Sequence, residues 1–142
     1  MLDLFAGTGA LGLEALSRGA FSAVLVESDP RTFAVMRRNV LELGANGAEP
    51  LLMDYRAALR ILTRRGSRFG LVFLDPPYGK GIAARSADDL AGAGVLEPGA
   101  TVVVEVAERT GESSFPPGWE RAEDRRYGGT KVMIFTVEKE PG

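Results

Sequence analysis

The stretch DLFAGTGALG, residues 3–12, decides the fold that we predict for this chain. Its glycines Gly7, Gly9 and Gly12 have the G-x-G-x-x-G spacing, between a short apolar strand and the helical pattern of residues 10–19. Glycine at such positions lets the backbone turn tightly and approach a ligand closely. The stretch therefore indicates the first strand–loop–helix unit of a doubly wound α/β domain, in which ligands bind at the carboxyl ends of the strands.

Strand-like and helix-like segments alternate along the rest of the chain. The further strands are predicted at residues 21–28, 49–54, 71–75 and 100–107, and the further helices between Asp29 and Gly44, at residues 55–65 and at residues 82–93. Residues 119–126 and 132–137 alternate between polar and apolar positions, as the strands of a closing hairpin do. We therefore predict a Rossmann-like α/β fold with a mostly parallel seven-stranded sheet, helices on both faces and a C-terminal antiparallel hairpin.

The composition limits the chemistry that we expect. The chain has 142 residues, a net charge of −2, and no cysteine or histidine. We expect one domain over residues 1–142, with no disulfide partner and no metal site, in a reducing cytoplasm. No apolar run reaches the roughly 18–20 residues of a membrane span. Any chemistry must then come from carboxylates, Tyr, Lys, Arg or backbone groups.

Acidic residues near the glycine loop indicate a nucleoside cofactor. Glu27 ends the second predicted strand, 20 residues after Gly7, where a carboxylate accepts hydrogen bonds from ribose hydroxyls. Asp3 precedes the glycines; an anion there repels a pyrophosphate and suits the ammonium and sulfonium groups of S-adenosylmethionine. The glycines also fit a tight turn without a ligand, and Asp3 also fits a carboxylate bonded to loop amides. Asp54 fits two roles equally, an acceptor for the adenine amino group and a helix N-cap.

A second unusual corner, with the sequence DPPY at residues 75–78, follows the fourth predicted strand. The carboxylate of Asp75 and the carbonyl of Pro76 are acceptors that the two prolines hold in place. Such acceptors orient an exocyclic base amine toward a methyl donor, and the ring of Tyr78 offers a stacking face for an extruded base. The alternative is a rigid strand end with a capping aspartate. We predict that the first and fourth strands are neighbours, so that both corners share one cleft.

The motifs DLFAGTGALGLEALSRGA, residues 3–20, and FLDPPYGKG, residues 73–81, are similar to those of the bacterial 16S ribosomal RNA guanine-N2 methyltransferases of the RsmD family. The resemblance implies a class I S-adenosylmethionine-dependent enzyme that acts on small-subunit ribosomal RNA or on a subunit assembly intermediate. The cofactor residues are then Asp3, Gly7, Gly9, Glu27, Asp54 and Asp75. The residues that handle the guanine amine are then Asp75, Pro76 and Tyr78. We expect a monomer.

Basic residues beside the second corner are candidates for contacts with RNA phosphates. We assign Tyr78, Lys80 and Arg85 to contacts with the substrate RNA. The arginines at positions 56, 60 and 64 have helical spacing and better fit a solvated helix face.

Three other functions stay open at this point. An adenine-N6 DNA or RNA methyltransferase shares the DPPY corner, and a dinucleotide-dependent oxidoreductase shares the glycine loop but leaves that corner without a task. A non-catalytic RNA-binding module retains the fold alone. Members of the RsmD family usually begin with an arginine-rich segment and a helix before the first strand. This chain begins at that strand, so we expect that segment to be missing and the affinities for cofactor and RNA to depend on it.

Overall fold

The computed structural model describes residues 1–77, 81–107 and 114–138. Its strands are β1 Leu2–Asp3, β2 Ala23–Glu27, β3 Ala48–Leu52, β4 Phe69–Leu74, β5 Leu96–Ala107, β6 Trp119–Tyr127 and β7 Thr130–Val137. Its helices are α1 Ala10–Ser17, α2 Pro30–Glu42, α3 Tyr55–Arg64 and α4 Ile82–Gly92. Within the described ranges, no helix combines the length and the hydropathy needed to cross a membrane.

The strands form one sheet in the order β3-β2-β1-β4-β5-β7-β6. The pairs from β3 to β5 are parallel, whereas β7 is antiparallel to both β5 and β6. The predicted fold, with its closing hairpin, is therefore confirmed. Strand order reverses between β1 and β4, and that switch point is where ligands bind in open α/β sheets.

Two apolar cores cover the two faces of the sheet. The core under α3 and α4 includes Leu2 of β1, Leu4 just after β1, Val72 and Leu74 of β4, and Val102 and Val104 of β5. The core under α1 and α2 consists of Ala6, Ala23, Leu25 and Met36. Side chains alternate across a strand. Asp3, between Leu2 and Leu4, therefore lies on the α1–α2 face.

The start of β5 differs from its prediction. The strand begins at Leu96, ahead of the predicted residue 100. Its ladder with β4 passes from the pair Phe69–Leu96 directly to the pair Leu71–Thr101, so β5 carries extra residues at this point. Gly99 lies in this irregular segment with φ of 79°, a left-handed conformation that glycine adopts without strain. The predicted strand is the regular part of β5, beyond the bulge.

Two aspartates fix where helices begin. The carboxylate of Asp29 accepts a hydrogen bond from the Thr32 amide at 3.0 Å at the start of α2. The Oδ1 atom of Asp54 accepts hydrogen bonds from the amides of Arg56 at 2.7 Å and Ala57 at 3.1 Å at the start of α3. Each carboxylate satisfies amide groups that a helix N-terminus leaves without partners inside the helix.

Candidate active site

The glycine loop after β1 and the Asp-Pro-Pro corner after β4 lie side by side. β1 and β4 are adjacent and parallel, with Asp3 paired to Phe73. The Leu4 amide continues the contact beyond β1, donating a hydrogen bond to the Phe73 carbonyl at 3.3 Å. The predicted adjacency of the first and fourth strands is therefore confirmed, and both corners lie at the carboxyl edge of the sheet, where open α/β sheets have their ligand cleft.

Four acidic side chains lie on one face of this edge, one from each of four successive strands. In sheet order they are Glu27 on β2, Asp3 on β1, Asp75 just after β4 and Glu105 on β5. The alternation that places Asp3 on the α1–α2 face places the other three there as well. Neighbouring members interact electrostatically. We call these four residues the acidic row; it makes this side of the cleft attractive to a cation.

Asp3 is the most deeply buried member of the acidic row, with 1% of its surface exposed. Its Oδ1 accepts a hydrogen bond from the Phe5 amide at 3.2 Å, so the alternative of a carboxylate bonded to the loop is observed. Desolvation is the main cause that raises the pKa of Asp3 to about 7; the charges of Asp75 and Glu27 add to it and the bond from Phe5 opposes it. A positive ligand group near Asp3 would offset this burial of charge.

Glu27 fastens the glycine loop to the end of β2. Its Oε1 accepts a hydrogen bond from the Gly7 amide at 3.0 Å, and its Oε2 accepts one from the Asp29 amide at 2.8 Å. This clamp was not foreseen from the sequence, which indicated a ribose contact only. The two roles are compatible because a carboxylate has about four lone-pair sites, and these bonds occupy two.

The three glycines of the loop meet three different demands. Gly7 has φ of 59°, and a Cβ added there would have no atom within 4 Å, so its outer side is open. Gly9 has φ of 85° and directly precedes α1, whose first amides have no side-chain cap. Gly12 is a packing residue, because a Cβ on it would lie 2.2 Å from Cδ2 of Leu25. The loop is thus open toward a ligand at Gly7 and closed against the sheet at Gly12.

A ring and ion cluster, unforeseen from the sequence, ties the glycine loop to α3 and α4. The rings of Phe5 and Tyr55 have centroids 5.3 Å apart. The Tyr55 hydroxyl donates a hydrogen bond to Asp89 at 2.6 Å, and Nε of Arg56 donates another to the same oxygen at 3.1 Å. Arg56 therefore has a structural partner, whereas Arg60 of the same stripe is an exposed residue of α3. Tyr55 and Asp89 are 34 positions apart, so no local pattern predicts their contact.

Asp75 stands at the mouth of the cleft, followed by the buried Pro76. Its carboxyl loses part of its hydration and is hydrogen-bonded to Glu105, and these effects together raise the pKa of Asp75 to about 6. Sequence reasoning missed Glu105, although a lone acid inside the valine-rich run TVVVEVA, residues 101–107, is a usable signal. Arg85 is exposed in the first turn of α4. The predictions for Tyr78 and Lys80 concern positions outside the described residues.

The donor set for a metal ion is limited. In the part of the chain that the structure describes, no group of three or more Asp, Glu, Cys or His side chains is arranged to hold one.

Comparison with known proteins places the chain in a family. The family model described as "Conserved hypothetical protein 95" matches residues 1–136. Ribosomal RNA small subunit methyltransferase D of Escherichia coli strain K12 is 32% identical over 137 residues, which cover 96% of this chain and 68% of the relative.

Two solved structures are similar over nearly the whole chain. One is described as "Putative methyltransferase yhhF from Escherichia coli", with a TM-score of 0.89, 31% identity and coverage of 98% of this chain and 77% of that one. The other is a conserved hypothetical protein of Streptococcus pyogenes, with a TM-score of 0.87, 36% identity and coverage of 96% and 84%. Together with the family-model match, these similarities confirm the resemblance seen in the two motifs: the chain belongs to the family of ribosomal RNA small subunit methyltransferase D.

Proposed function

We propose that this chain transfers a methyl group from S-adenosylmethionine to the exocyclic N2 amine of a guanine in small-subunit ribosomal RNA. The observation that carries the proposal is the cleft shared by the glycine loop and the Asp-Pro-Pro corner, lined by the acidic row. The name of the Escherichia coli relative supports ribosomal RNA as the substrate class.

The residues around the glycine loop fit S-adenosylmethionine. Gly7 leaves open space for a ligand, and the buried Asp3 carboxylate matches a ligand ammonium or sulfonium group. Glu27 retains acceptor capacity for ribose hydroxyls, and Asp54 retains its Oδ2 for the adenine amino group because both capping bonds use Oδ1. Gly9 allows the close turn between these groups. When bound, the cofactor supplies an electrophilic methyl group on a sulfonium.

The Asp-Pro-Pro corner would hold the target amine. The Asp75 carboxylate and the Pro76 carbonyl accept the two amine hydrogens, which directs the nitrogen lone pair toward the methyl donor. The backbone that carries both acceptors is rigid because each proline fixes its own φ and restricts the residue before it. Tyr78 stacks on the extruded guanine, and Lys80 and Arg85 contact RNA phosphates.

The family's other expected properties extend this proposal. Residues 1–142 act as one catalytic domain on ribosomal RNA or an assembly intermediate, as a monomer in the cytoplasm. The dinucleotide-dependent oxidoreductase is disfavoured because the acidic row would repel a pyrophosphate.

The decisive experiment identifies the modified nucleoside. The chain is incubated with isotopically labelled S-adenosylmethionine and either 16S ribosomal RNA or partly assembled small subunits, and the RNA is digested to nucleosides. We expect labelled N2-methylguanosine. Labelled N6-methyladenosine would instead establish the adenine-specific alternative. Absence of both label and S-adenosylhomocysteine binding would leave a non-catalytic RNA-binding module.

A further inference from the structure

Glu105 is the member of the acidic row to which the proposed function gives no role. β4 and β5 pair Leu74 with Val104, and Asp75 and Glu105 are the residues that directly follow this last pair of the ladder. Both acids lie on the α1–α2 face, opposite the core that contains Leu74 and Val104. Backbone register therefore fixes the neighbourhood of the two carboxyl groups.

A hydrogen bond between the carboxyl groups of Asp75 and Glu105 is one of the causes that raise the pKa of Asp75. Carboxylates are acceptors only, so such a bond exists when one of the two groups carries a proton that the other accepts. Loss of hydration and the neighbouring Glu105 carboxyl together raise the pKa of Asp75 to about 6.

The groups that face the pair come from the strands β1 and β7. On β1, Asp3 lies close enough to Asp75 for the charge of Asp75 to raise the pKa of Asp3. On the other side, β7 places the apolar Val132 opposite Glu105. The Lys131 ammonium of β7 lies 3.9 Å from an oxygen of Asp124. The neighbouring strands thus present another acid and an apolar side chain to the pair.

We propose that Glu105 is a positioning residue that acts through Asp75: it holds the Asp75 carboxyl in the cleft and shares with it the proton that the target amine releases on methylation. The inference rests on the proposed function. Glu105 makes no contact with substrate in this scheme.

The proton transfer balances without a further reactant. A bond forms between the amine nitrogen and the methyl carbon, while the bond from that carbon to sulfur breaks and leaves its electron pair on sulfur. The nitrogen then loses one proton to the ionised Asp75 carboxylate, which has released its own proton at neutral pH because its pKa is about 6. The new proton is held between Asp75 and Glu105 until its release to water. Asp75, whose pKa is raised to about 6, is a better proton acceptor than an ordinary aspartate.

The test compares Glu105→Gln with the wild type across pH. The amide keeps the shape of the side chain and donates a hydrogen bond to the Asp75 carboxylate, so it favours the charged form. We expect the acidic limb of kcat to move about one pH unit lower, and the plateau of kcat to fall about threefold because the base is weaker. KM for RNA and the Kd of S-adenosylhomocysteine should each stay within about twofold of the wild-type value.

The matched control is Glu120→Gln, because Glu120 is an exposed glutamate on β6. It should leave the pH profile unchanged. An acidic limb in Glu105→Gln that coincides with the wild-type limb would overturn the inference, because a purely structural role survives this isosteric change.

A second measurement follows the carboxyl groups directly. Carboxyl ¹³C shifts of protein labelled at Asp and Glu are titrated, with the Asp75 signal assigned from Asp75→Asn. We expect Asp75 to titrate at higher pH in the wild type than in Glu105→Gln. Identical Asp75 titrations would also overturn the inference.

The two failures are distinguishable. Wild-type protein that forms no N2-methylguanosine overturns the proposed function, and with it the proton transfer. Formation of N2-methylguanosine together with an unshifted acidic limb overturns the role of Glu105 alone.

Discussion

At the scale of single residues, the site combines carboxylates in environments that differ sharply. Asp3 is almost completely buried and accepts one backbone bond, whereas Asp54 is exposed and caps a helix. Glu27 lies between these extremes and fastens the glycine loop. The same functional group, a carboxylate, therefore performs three different tasks. Its burial and its hydrogen-bond partners decide which task it performs.

The buried charge of Asp3 predicts a pH-dependent stability. The folded state raises the pKa of Asp3 from 3.8 to about 7, so its stabilising contribution is complete below pH 3.8 and is lost as the pH rises through 7. Thermal unfolding without cofactor should show that wild type loses stability relative to Asp3→Asn as the pH rises from about 4 to about 7. The expected loss in the free energy of unfolding is on the order of a few kcal/mol. Parallel melting curves across this range would contradict the assignment.

Asp75 predicts a separation of binding from chemistry. Asp75→Ala removes the acceptor that orients the amine, so methyl transfer should fall by at least about 10²-fold. Because the other five residues assigned to the cofactor remain, calorimetry should show a loss of S-adenosylhomocysteine affinity that is small beside the loss of methyl transfer. Undiminished turnover in this variant would remove Asp75 from the reaction.

At the scale of elements, the approach of α1 to β2 depends on the missing side chain of Gly12. Gly12→Ala places a Cβ 2.2 Å from Cδ2 of Leu25, which is itself fully buried. We expect a loss of about 1–3 kcal/mol in the free energy of unfolding, measured by urea denaturation. The matched control is Gly92→Ala in α4, where an added Cβ would have no atom within 4 Å. The control should be neutral or stabilising by up to about 1 kcal/mol.

The caps of α2 and α3 offer another matched pair. Asp29→Ala and Asp54→Ala each remove a capping carboxylate, and each should lower the free energy of unfolding by about 1 kcal/mol. Only Asp54 is also assigned to the adenine amino group. Calorimetry should therefore show S-adenosylhomocysteine affinity about tenfold weaker in Asp54→Ala, the equivalent of one hydrogen bond. Equal affinities in both variants would leave Asp54 as a cap alone.

At the scale of the whole molecule, strand order creates the cleft. Segments more than 60 positions apart in the chain meet because β1 lies beside β4, which pairs Asp3 with Phe73. The same order puts β5 next to β4 and brings Glu105 to Asp75. The reactive edge is thus assembled from four strands and belongs to no single motif.

Much of this arrangement could be predicted from local patterns. Glycine spacing and apolar runs located the strands, the helices and the mixed sheet, because backbone conformation and burial leave periodic traces in the sequence. The corner at Asp75 and Pro76 was recognised because proline restricts the backbone wherever it occurs. The start of β5 was misplaced, since the bulge near Gly99 depends on the register with β4.

The sequence by itself determined the fold class, the two corners of the cleft and the family, since each depends on short-range chemistry that residue order records. Only the tertiary structure decided the clamp of Glu27 on Gly7, the contact of Tyr55 with Asp89 and the pairing of Asp75 with Glu105. These contacts join residues 20 to 34 positions apart, and their energies depend on register and desolvation. Both quantities exist only after the sheet has formed.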